Sequence, residues 1–448
     1  MDKVILTIIA GKLKGQKFEF IERNTCIMGR HPDCYPRLSD DLDHNTISRY
    51  HCLLDINPPE IRVRDFGSKN GTYVNDKKIG QREATQTPEE GAKITFPEYD
   101  LKSGDELKLS QTIFQVAIET KREVAPTLKV EEIPNQPKNN FLNLLKNLLK
   151  RAQTGEENLS NFKDYEIIKK LGEGGFSEVF LAHNKITGEN VALKMMLPQV
   201  AANPYAVELF LREAQNTQAL NHPNIVKLRD TGYLDQTFFF TLEYCNGGTV
   251  EDLMQQQGGK LSLEESLEII YQVLDALIYA HNVEISNLKQ ANGTIAKGKG
   301  LVHRDIKPAN IFLVESQGKI TVKLADYGLS KAFDLAGLSG QTMTGTKAGT
   351  PYFMPRQQVL NFKYVQPEVD IWAVAATLYN MLTGCYPRDL DNKDPFLAIL
   401  QDLPIPIRQR NVNIPQGLAD IIDLALQDNP QLHFKEAIAF KKALLDVV

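Results

Sequence analysis

The sequence predicts at least two folded domains: an N-terminal all-β sandwich and, after a linker, an α+β domain with a small β-rich lobe and a larger helical lobe. Three observations indicate this arrangement. The chain has 448 residues, roughly three times a common domain length, so more than one core is expected. Short β-rich runs separated by turn signals fill residues 4–118. After a charged stretch, strands resume near residue 165 and long helical periodicities follow residue 262, the order expected of two successive lobes.

The first domain, residues 1–120, is predicted from its strands. The runs VILTIIA, KFEFI, IRVRDF and IFQVAI are rich in β-branched and aromatic residues and are bounded by turn residues. Such runs at short spacing are typical of antiparallel strands that pack as a sandwich.

The linker, residues 121–163, is charged and contains prolines, with too little apolar content for a core. One segment differs: FLNLLKNLLKRA, residues 141–152, has its apolar residues at helical spacing and its basic residues off that stripe. It predicts an amphipathic helix that docks on one of the domains or serves a partner or a membrane surface. A helix of this length cannot span a bilayer.

Composition excludes several classes of protein. Lys plus Arg number 51 and Asp plus Glu 56, a net charge of −5, which predicts no general affinity for nucleic acid. The five cysteines are scattered without CxxC spacing, so they predict neither a disulfide framework nor a zinc site. We read no signal peptide and no transmembrane segment, and we expect a cytoplasmic protein.

The second domain, residues 164–448, opens on a glycine-rich turn between two predicted strands. The text LGEGGFSEVFLA places Gly172 and Gly174 one residue apart, where the backbone can approach phosphate oxygens. A ligand-free turn explains such a pair equally well. The following strand VALK ends in Lys194. A lysine side chain that projects from an apolar strand is costly unless it meets an anion. Glu213, on the next helical pattern, is the candidate to hold that lysine in place.

Two further segments carry charged residues beside short apolar strands. LVHRDIKPANIFL contains Asp305, Lys307 and Asn310, and KLADYGLS contains Asp326. Together they offer a proton acceptor, a phosphate partner and metal ligands. Each residue alone is more simply explained as a surface charge.

These motifs, in this order, resemble the catalytic domain of eukaryotic-type protein kinases. The resemblance implies that ATP binds with Mg²⁺, or alternatively Mn²⁺, and that Asp305 handles the proton of the acceptor hydroxyl. Lys307 implies Ser and Thr as acceptors, and Asp370 would anchor the catalytic loop. The resemblance implies four catalytic residues: Asp305, Lys307, Lys194 and Glu213. It implies that ATP is bound by Leu171, Gly172, Gly174, Val179, Ala192, Lys194 and the backbone of Glu243 and Cys245, with Leu242 at the back pocket. Asn310 and Asp326 would hold the metal, and Thr350 would form the wall beside the acceptor.

Three departures from the family pattern stand in this domain. Ser177 replaces the third glycine of the phosphate loop, a change that ATP binding should survive. PRQ at residues 355–357 replaces the usual APE, and His433 replaces the arginine that normally pairs with it. We expect a neutral contact between Gln357 and His433. An additional stretch, residues 282–300, predicts a surface loop.

The first domain carries small polar clusters in GRHPDC, SRYHCLL and RDFGSKNGTYVN. Surface loops explain any one of them, but together they resemble a forkhead-associated (FHA) domain, a β-sandwich that binds phosphothreonine peptides. The resemblance implies that His51 supports the site and that five residues form it: Arg30, Ser48, Arg49, Lys69 and Asn70.

We therefore expect a serine/threonine protein kinase joined to a phosphothreonine-binding domain. Its partners would be Ser/Thr-bearing protein substrates and a phosphothreonine protein or its own phosphorylated segment, without nucleic acid. Two alternatives are a phosphopeptide-binding scaffold with a weak or inactive kinase fold, and transfer to a small molecule, which the GTPYF segment disfavours. The resemblance to kinases also implies, from Arg304 beside Asp305 and from the place of Thr346 four residues before Thr350, that Thr346 is a regulatory phosphosite. Thr127 in the linker is a candidate ligand for the N-terminal domain.

Overall fold

The computed structural model describes residues 2–21, 24–38, 46–94, 96–120, 164–173, 177–196, 217–218, 220–234, 237–289, 295–327, 350–360, 365–390, 394–429 and 431–447. The linker, its expected helix at 141–152 and the threonines at 127 and 346 lie outside these residues. Within them, no helix is long and apolar enough to cross a membrane.

The N-terminal domain is the predicted β-sandwich. One sheet has the strand order β2-β1-β10-β9-β6-β7, and the other has the order β3-β4-β5-β8. Alternate residues of each strand enter a shared core, for example Leu6 and Ile8 from the first sheet and Leu54 and Val63 from the second. The elements are β1 (Lys3–Ala10), β2 (Lys17–Phe20), β3 (Asn24–Met28), β4 (Cys52–Asn57), β5 (Glu60–Asp65), β6 (Thr72–Val74), β7 (Lys77–Gly80), α1 (Pro88–Gly91), β8 (Tyr99–Leu101), β9 (Glu106–Leu109) and β10 (Thr112–Glu119).

The small lobe of the second domain is a five-stranded antiparallel sheet in the order β11-β12-β13-β15-β14. On β13, Val191, Leu193 and Met195 are fully buried on one face, so the residues between them face the other side. The strands are β11 (Tyr165–Glu173), β12 (Ser177–Asn184), β13 (Asn190–Met196), β14 (Leu228–Leu234) and β15 (Thr237–Glu243).

The larger lobe is built around two long helices. The helix at 263–280 begins at Ser262, whose side chain forms a capping box with Glu265, and it buries an apolar stripe. The helix at 368–383 is buried along nearly its whole length and ends at Gly384, which has a φ of +70°. The elements are α2 (Val250–Gln256), α3 (Leu263–Ala280), β16 (Glu284–Lys289), β17 (Ile295–Lys299), β18 (Ile311–Ser316), β19 (Lys319–Leu324), α4 (Arg356–Leu360), α5 (Glu368–Thr383), α6 (Pro395–Gln401), α7 (Ile407–Arg410), α8 (Gln416–Ala425) and α9 (Ala437–Leu445).

The stretch at 282–300 was expected to be a loop, and that expectation is wrong. Its described parts form an antiparallel hairpin in which β16 pairs with β17. The sequence NGT between the two strands is a turn signal, so hairpin pairing satisfies backbone groups that a loop would leave to water.

The outer face of the second sandwich sheet packs on the helical lobe. Ile27, Leu53 and Arg64 are cross-strand neighbours on β3, β4 and β5, and their neighbours along each strand point into the sandwich core. We call the surface made by these three residues the docking face. Ile27 and Leu53 share one apolar cluster with α4 and α6. Arg64 forms an ion pair of 2.6 Å with Asp394, and both side chains are buried.

Candidate active site

One face of the five-stranded sheet brings four predicted residues together. Lys194 on β13 lies opposite Val179 on β12, and Ala192 lies opposite Leu242 on β15. Directly opposed residues of an antiparallel pair share a face of the sheet. The buried apolar residues of β13 lie on the opposite face. β15 lies between β13 and β14, so it is an inner strand of the sheet. The chain leaves β15 at Glu243, and Cys245 follows.

A hairpin places the metal-ligand candidates side by side. β18 and β19 pair so that Ile311 lies opposite Leu324. Asn310, just before β18, and Asp326, just after β19, therefore meet at the open end of the hairpin. The amide of Ala325 donates to the carbonyl of Asn310 at 3.0 Å, which fixes this arrangement.

Asp326 faces the small lobe, because its Oδ1 accepts from Lys194 Nζ at 2.8 Å. Burial alone would raise the pKa of Asp326, but the Lys194 ammonium outweighs it and holds this pKa below its ordinary value. Asp326 also has a φ of +63°, a conformation that non-glycine residues seldom adopt and that surrounding contacts must hold. The carboxylate is therefore ionised at neutral pH and bridges the two lobes.

Asp305 lies between two nitrogen donors. Lys307 Nζ is 3.1 and 3.0 Å from its two carboxylate oxygens. The amide nitrogen of Asn310 donates to Asp305 Oδ2 at 2.9 Å and to the Asp305 carbonyl at 2.7 Å. Both contacts fix the rotamer of a carboxylate that remains partly open to solvent.

The loop that carries Asp305 is anchored from below by Asp370, as the sequence predicts. Asp370 is fully buried in α5 and accepts from the backbone amides of His303 and Arg304, each at 2.8 Å. His281 Nε2 donates to the same carboxylate at 2.8 Å. Burial favours a raised pKa, but these donors reverse the effect and hold the pKa of Asp370 below its ordinary value.

The five predicted phosphopeptide residues gather at one end of the sandwich. The amide of Arg30 donates to the carbonyl of Ser48 at 3.2 Å, and the amide of Lys69 donates to Ser48 Oγ at 3.0 Å. Asn70 Nδ2 holds the carbonyl of Thr46 at 2.6 Å. Arg49 and Lys69 are exposed, so this end presents donors and positive charge to solvent.

His51 supports this site from beneath, as the sequence predicts. It is fully buried, accepts from the Ser48 amide at Nδ1 and lies 3.1 Å from the Gly71 carbonyl through Nε2. Burial lowers the pKa of His51, so the ring is neutral and links the two loops that carry the site. A second support was not predicted: Asp65 accepts from the amide and hydroxyl of Ser68 and from the Thr72 hydroxyl. The sequence signal is the acidic residue just before FGSKNGT.

Residues 165–435 match the family model described as a protein kinase domain, and residues 26–110 match that of the FHA domain. The chain belongs to the protein kinase family. It carries an N-terminal FHA domain, and membership of the kinase family implies the use of ATP.

Several kinases from bacteria are similar to this chain. Serine/threonine-protein kinase PknB of Mycobacterium leprae is 30% identical over 289 residues, covering 63% of this chain and 43% of the relative. Tyrosine-protein kinase MasK of Myxococcus xanthus is 32% identical over 295 residues, with 64% and 43% covered. Probable serine/threonine-protein kinase SCO3848 of Streptomyces coelicolor is 36% identical over 265 residues, with 58% and 34% covered. The chain thus spans less than half the length of these curated relatives.

Two solved structures are also similar. One is Rad53 1-466 in complex with AMP-PNP, with a TM-score of 0.49, 21% identity and coverage of 99% of this chain and 100% of the other. The other is the Mycobacterium tuberculosis PknI kinase domain, with a TM-score of 0.47, 23% identity and coverage of 64% of this chain and 96% of the other.

Some predicted residues of the kinase lie outside the described residues: Gly174, Glu213 and Thr346. Gly172 lies opposite Val179, and a Cβ built on it would meet nothing within 4 Å. Leu171 is exposed beside it. Burial raises the pKa of the Cys245 thiol to about 12, so this thiol is protonated at neutral pH.

We expected a neutral contact between Gln357 and His433, but each of these side chains bonds to a backbone carbonyl instead. Gln357 Nε2 donates to the carbonyl of Asp428 at 2.6 Å, and His433 Nδ1 lies 2.8 Å from the carbonyl of Phe434. The charge in this region comes from Arg388, which is buried, pairs with Asp428 and lies 4.9 Å from the ring centre of Trp372. Sequence reasoning missed Arg388 because it is remote in sequence from both altered positions, Gln357 and His433.

Helix α4, which contains most of the altered motif, contacts two different parts of the protein. Arg356 pairs with Asp33 of the FHA domain at 2.8 Å and also contacts the Tyr50 hydroxyl. Gln358 is buried and donates to the carbonyl of Arg304 at 2.9 Å. α4 therefore connects the FHA domain with the catalytic loop. No motif in the sequence predicts this connection.

Proposed function

We propose that this kinase transfers the γ-phosphoryl group of ATP to serine and threonine hydroxyls of proteins, and that its FHA domain binds phosphothreonine. The observation that carries the proposal is the geometry of Asp305: its carboxylate is fixed by Lys307 and Asn310 on a loop whose backbone Asp370 holds. Asp305 is placed to accept the proton of an acceptor hydroxyl, because a fixed, partly open carboxylate can form that hydrogen bond.

The oxygen donors at the hairpin end suit a magnesium ion. Asn310 uses its amide nitrogen toward Asp305, so its oxygen is the group directed to other ligands, and Asp326 supplies a carboxylate. Mg²⁺ takes one or two such protein ligands and completes its shell with phosphate oxygens and water. When bound, it would neutralise charge on the transferring phosphoryl group. Mn²⁺ accepts the same donor types.

Lys194 and Lys307 have separate tasks in this scheme. Lys194 forms an ion pair with Asp326, and in the proposed reaction it binds the ATP phosphates. Lys307, next to Asp305, would stabilise negative charge near the acceptor. Phosphoryl transfer depends mainly on such positioning and charge stabilisation. Lys307 also supports Ser and Thr over Tyr as acceptors, although one similar protein bears the name of a tyrosine kinase.

The test uses purified full chain, Mg²⁺-ATP labelled at the γ position and a generic protein substrate, followed by phosphoamino acid analysis. We expect phosphoserine and phosphothreonine, and we expect Asp305→Asn to reduce labelling by about 10²–10⁴-fold. Asp389→Asn, which changes an exposed carboxylate, is the matched control. Labelled tyrosine would contradict the acceptor class, and full activity of Asp305→Asn would contradict the role of Asp305. No labelling by the unaltered chain would leave the scaffold alternative.

The cellular location of the kinase is also a proposal. Five free cysteines in the described residues, three of them buried, support a reducing compartment such as the cytoplasm. Fluorescence microscopy of the tagged protein beside a membrane dye tests this proposal, and a membrane-bound signal would overturn it.

A further inference from the structure

The FHA domain is held on the helical lobe by two different kinds of contact. The docking face contributes Ile27 and Leu53 to an apolar cluster with α6. Its third member, Arg64, pairs with Asp394 deep in the same interface. Asp394 also begins α6, since its Oδ1 accepts from the amides of Phe396 and Leu397. Breaking a buried ion pair is strongly destabilising, so this pair favours the orientation of the two domains in which it forms.

The second contact involves the loop that carries the phosphopeptide site. Asp33 and Tyr50 of this loop contact Arg356 of α4. The ring of His31 lies 4.9 Å from that of Tyr50, and the His31 amide donates to the carbonyl of Arg49 at 3.1 Å. The arginines of the phosphopeptide site therefore lie on a loop that rests directly on the kinase.

The same part of the kinase adjoins the residues that we expect to form the wall beside the acceptor. Residues 350–353, the wall predicted beside the acceptor, form a short 3₁₀ turn immediately before α4. Tyr352 and Met354 pack against the apolar cluster that includes Tyr50. On its other side, α4 reaches the catalytic loop through Gln358 and the Arg304 carbonyl. Phosphopeptide loop, acceptor wall and catalytic loop thus belong to one packed unit.

We propose that the docked FHA domain and the catalytic cleft form one composite substrate site, which selects proteins that already carry a phosphothreonine at a set distance from the Ser or Thr to be phosphorylated. This inference rests on the proposed function, because it needs both phosphothreonine binding and transfer to a protein hydroxyl. A domain held at a fixed distance raises the local concentration of a bound substrate at the cleft, and it does so only for spacers that can span the two sites.

The experiment measures kcat and KM of the full chain on peptides with one acceptor serine. Each peptide carries phosphothreonine or plain threonine, separated from the serine by spacers of about 4 to about 24 residues, each adding up to ~3.3 Å. We expect kcat/KM for the phosphorylated peptide to exceed that of its plain partner by about 100-fold at one best spacer and less on either side. The gain should lie in KM, and Arg30→Ala should remove it.

Leu53→Glu tests the docking itself. It places a charge in the apolar cluster, but on the outer face of the sandwich, so the full-length variant should still bind a phosphothreonine peptide in calorimetry. The spacer optimum should be lost and replaced by a shallow dependence on spacer length. Ile21→Glu makes a matched apolar-to-acidic change at an exposed position of the same domain and should keep the optimum.

The possible outcomes distinguish a failure of this inference from a failure of the proposed function on which it rests. Absence of transfer to every peptide would refute the proposed kinase activity, and absence of phosphothreonine binding would refute the FHA assignment. If both are present but phosphorylated and plain peptides give equal kcat/KM at every spacer, the composite site is refuted. An unchanged optimum in Leu53→Glu would refute the role of docking, and the spacer series on the unaltered chain decides the question even if that variant fails to fold.

Discussion

Replacing Asp370 by asparagine should disable the catalytic loop while preserving the shape of the side chain. In the structure, the two carboxylate oxygens accept from two backbone amides and from His281, all at 2.8 Å. An asparagine has one oxygen, so its NH₂ group would face an N–H donor. Losing charge-assisted hydrogen bonds worth 1.5–3 kcal/mol each and leaving a buried donor unpaired gives an expected loss of about 3–5 kcal/mol.

The same substitution should reach catalysis through Arg304. This residue has a φ of +71°, a left-handed conformation that costs an arginine about 1–2 kcal/mol and that the Asp370 bond helps to hold. Relaxation of the loop would displace the neighbouring Asp305. A displacement of about 1 Å commonly lowers the rate by roughly 10²-fold, so we expect kcat to fall strongly, with little change in ATP binding.

Urea unfolding followed by tryptophan fluorescence measures the stability change. The sequence has a single tryptophan, Trp372, which is buried in α5 close to Asp370, so its signal reports this lobe. Asp389→Asn, at an exposed ion pair, is the matched control and should cost less than about 1 kcal/mol. If Asp370→Asn unfolded at the same urea concentration as the parent and kept its kcat, the anchoring role would be refuted.

Acid provides an independent check on the same carboxylate. The pKa of Asp370 is lower in the folded protein than its ordinary value. Its stabilisation is therefore complete above about pH 4, the ordinary Asp value, and is lost as pH falls toward the lowered pKa. The difference in unfolding free energy between the parent and Asp370→Asn should thus narrow in acid, and a constant difference would contradict the assignment.

Two further predictions concern the FHA domain and the activation segment. Arg30→Ala should weaken phosphothreonine peptide binding by about 1.5–3 kcal/mol, the scale of a hydrogen bond to a charged group; titration calorimetry measures this, and unchanged affinity would exclude Arg30 from the site. Mass spectrometry after incubation with ATP should find phosphate on Thr346, and Thr346→Ala should lower activity while sparing ATP binding, because a phosphate there would pair with Arg304; an unmodified Thr346 in fully active protein would refute this switch.

Much of the active site could be predicted because its residues lie in short, ordered motifs. The alternation of β13 places Lys194 and Ala192 on one face, and the short spacing of Asn310 and Asp326 is that of a hairpin whose ends meet. Local periodicity is enough for such inferences. The lysine's direct partner, Asp326 at 2.8 Å, follows from how the lobes approach each other, and no local pattern encodes it.

The domain interface was missed for the same reason. Arg64 and Asp394 are 330 positions apart, and each has an ordinary local explanation, one as a strand residue and the other as a helix cap. A signal was present in β3 and β4, where Ile27 and Leu53 are apolar on the side that a free sandwich would expose. The error at Gln357 has a similar origin, since its outcome depends on Asp428 and Arg388, which lie far along the chain.

The separation of Arg64 from Asp394 also affects how the protein is made. The sandwich is complete after the first 120 residues, but α6, the later of the two helices that cover its docking face, follows about 270 residues later. At a synthesis rate of about 5–20 residues per second, this delay is roughly 15–50 seconds. During that time the newly synthesised domain is folded while the chain is still attached to the ribosome, and Ile27 and Leu53 are exposed to water. Nascent chains of this kinase should therefore engage chaperones through a native surface, and they should be released when α6 emerges.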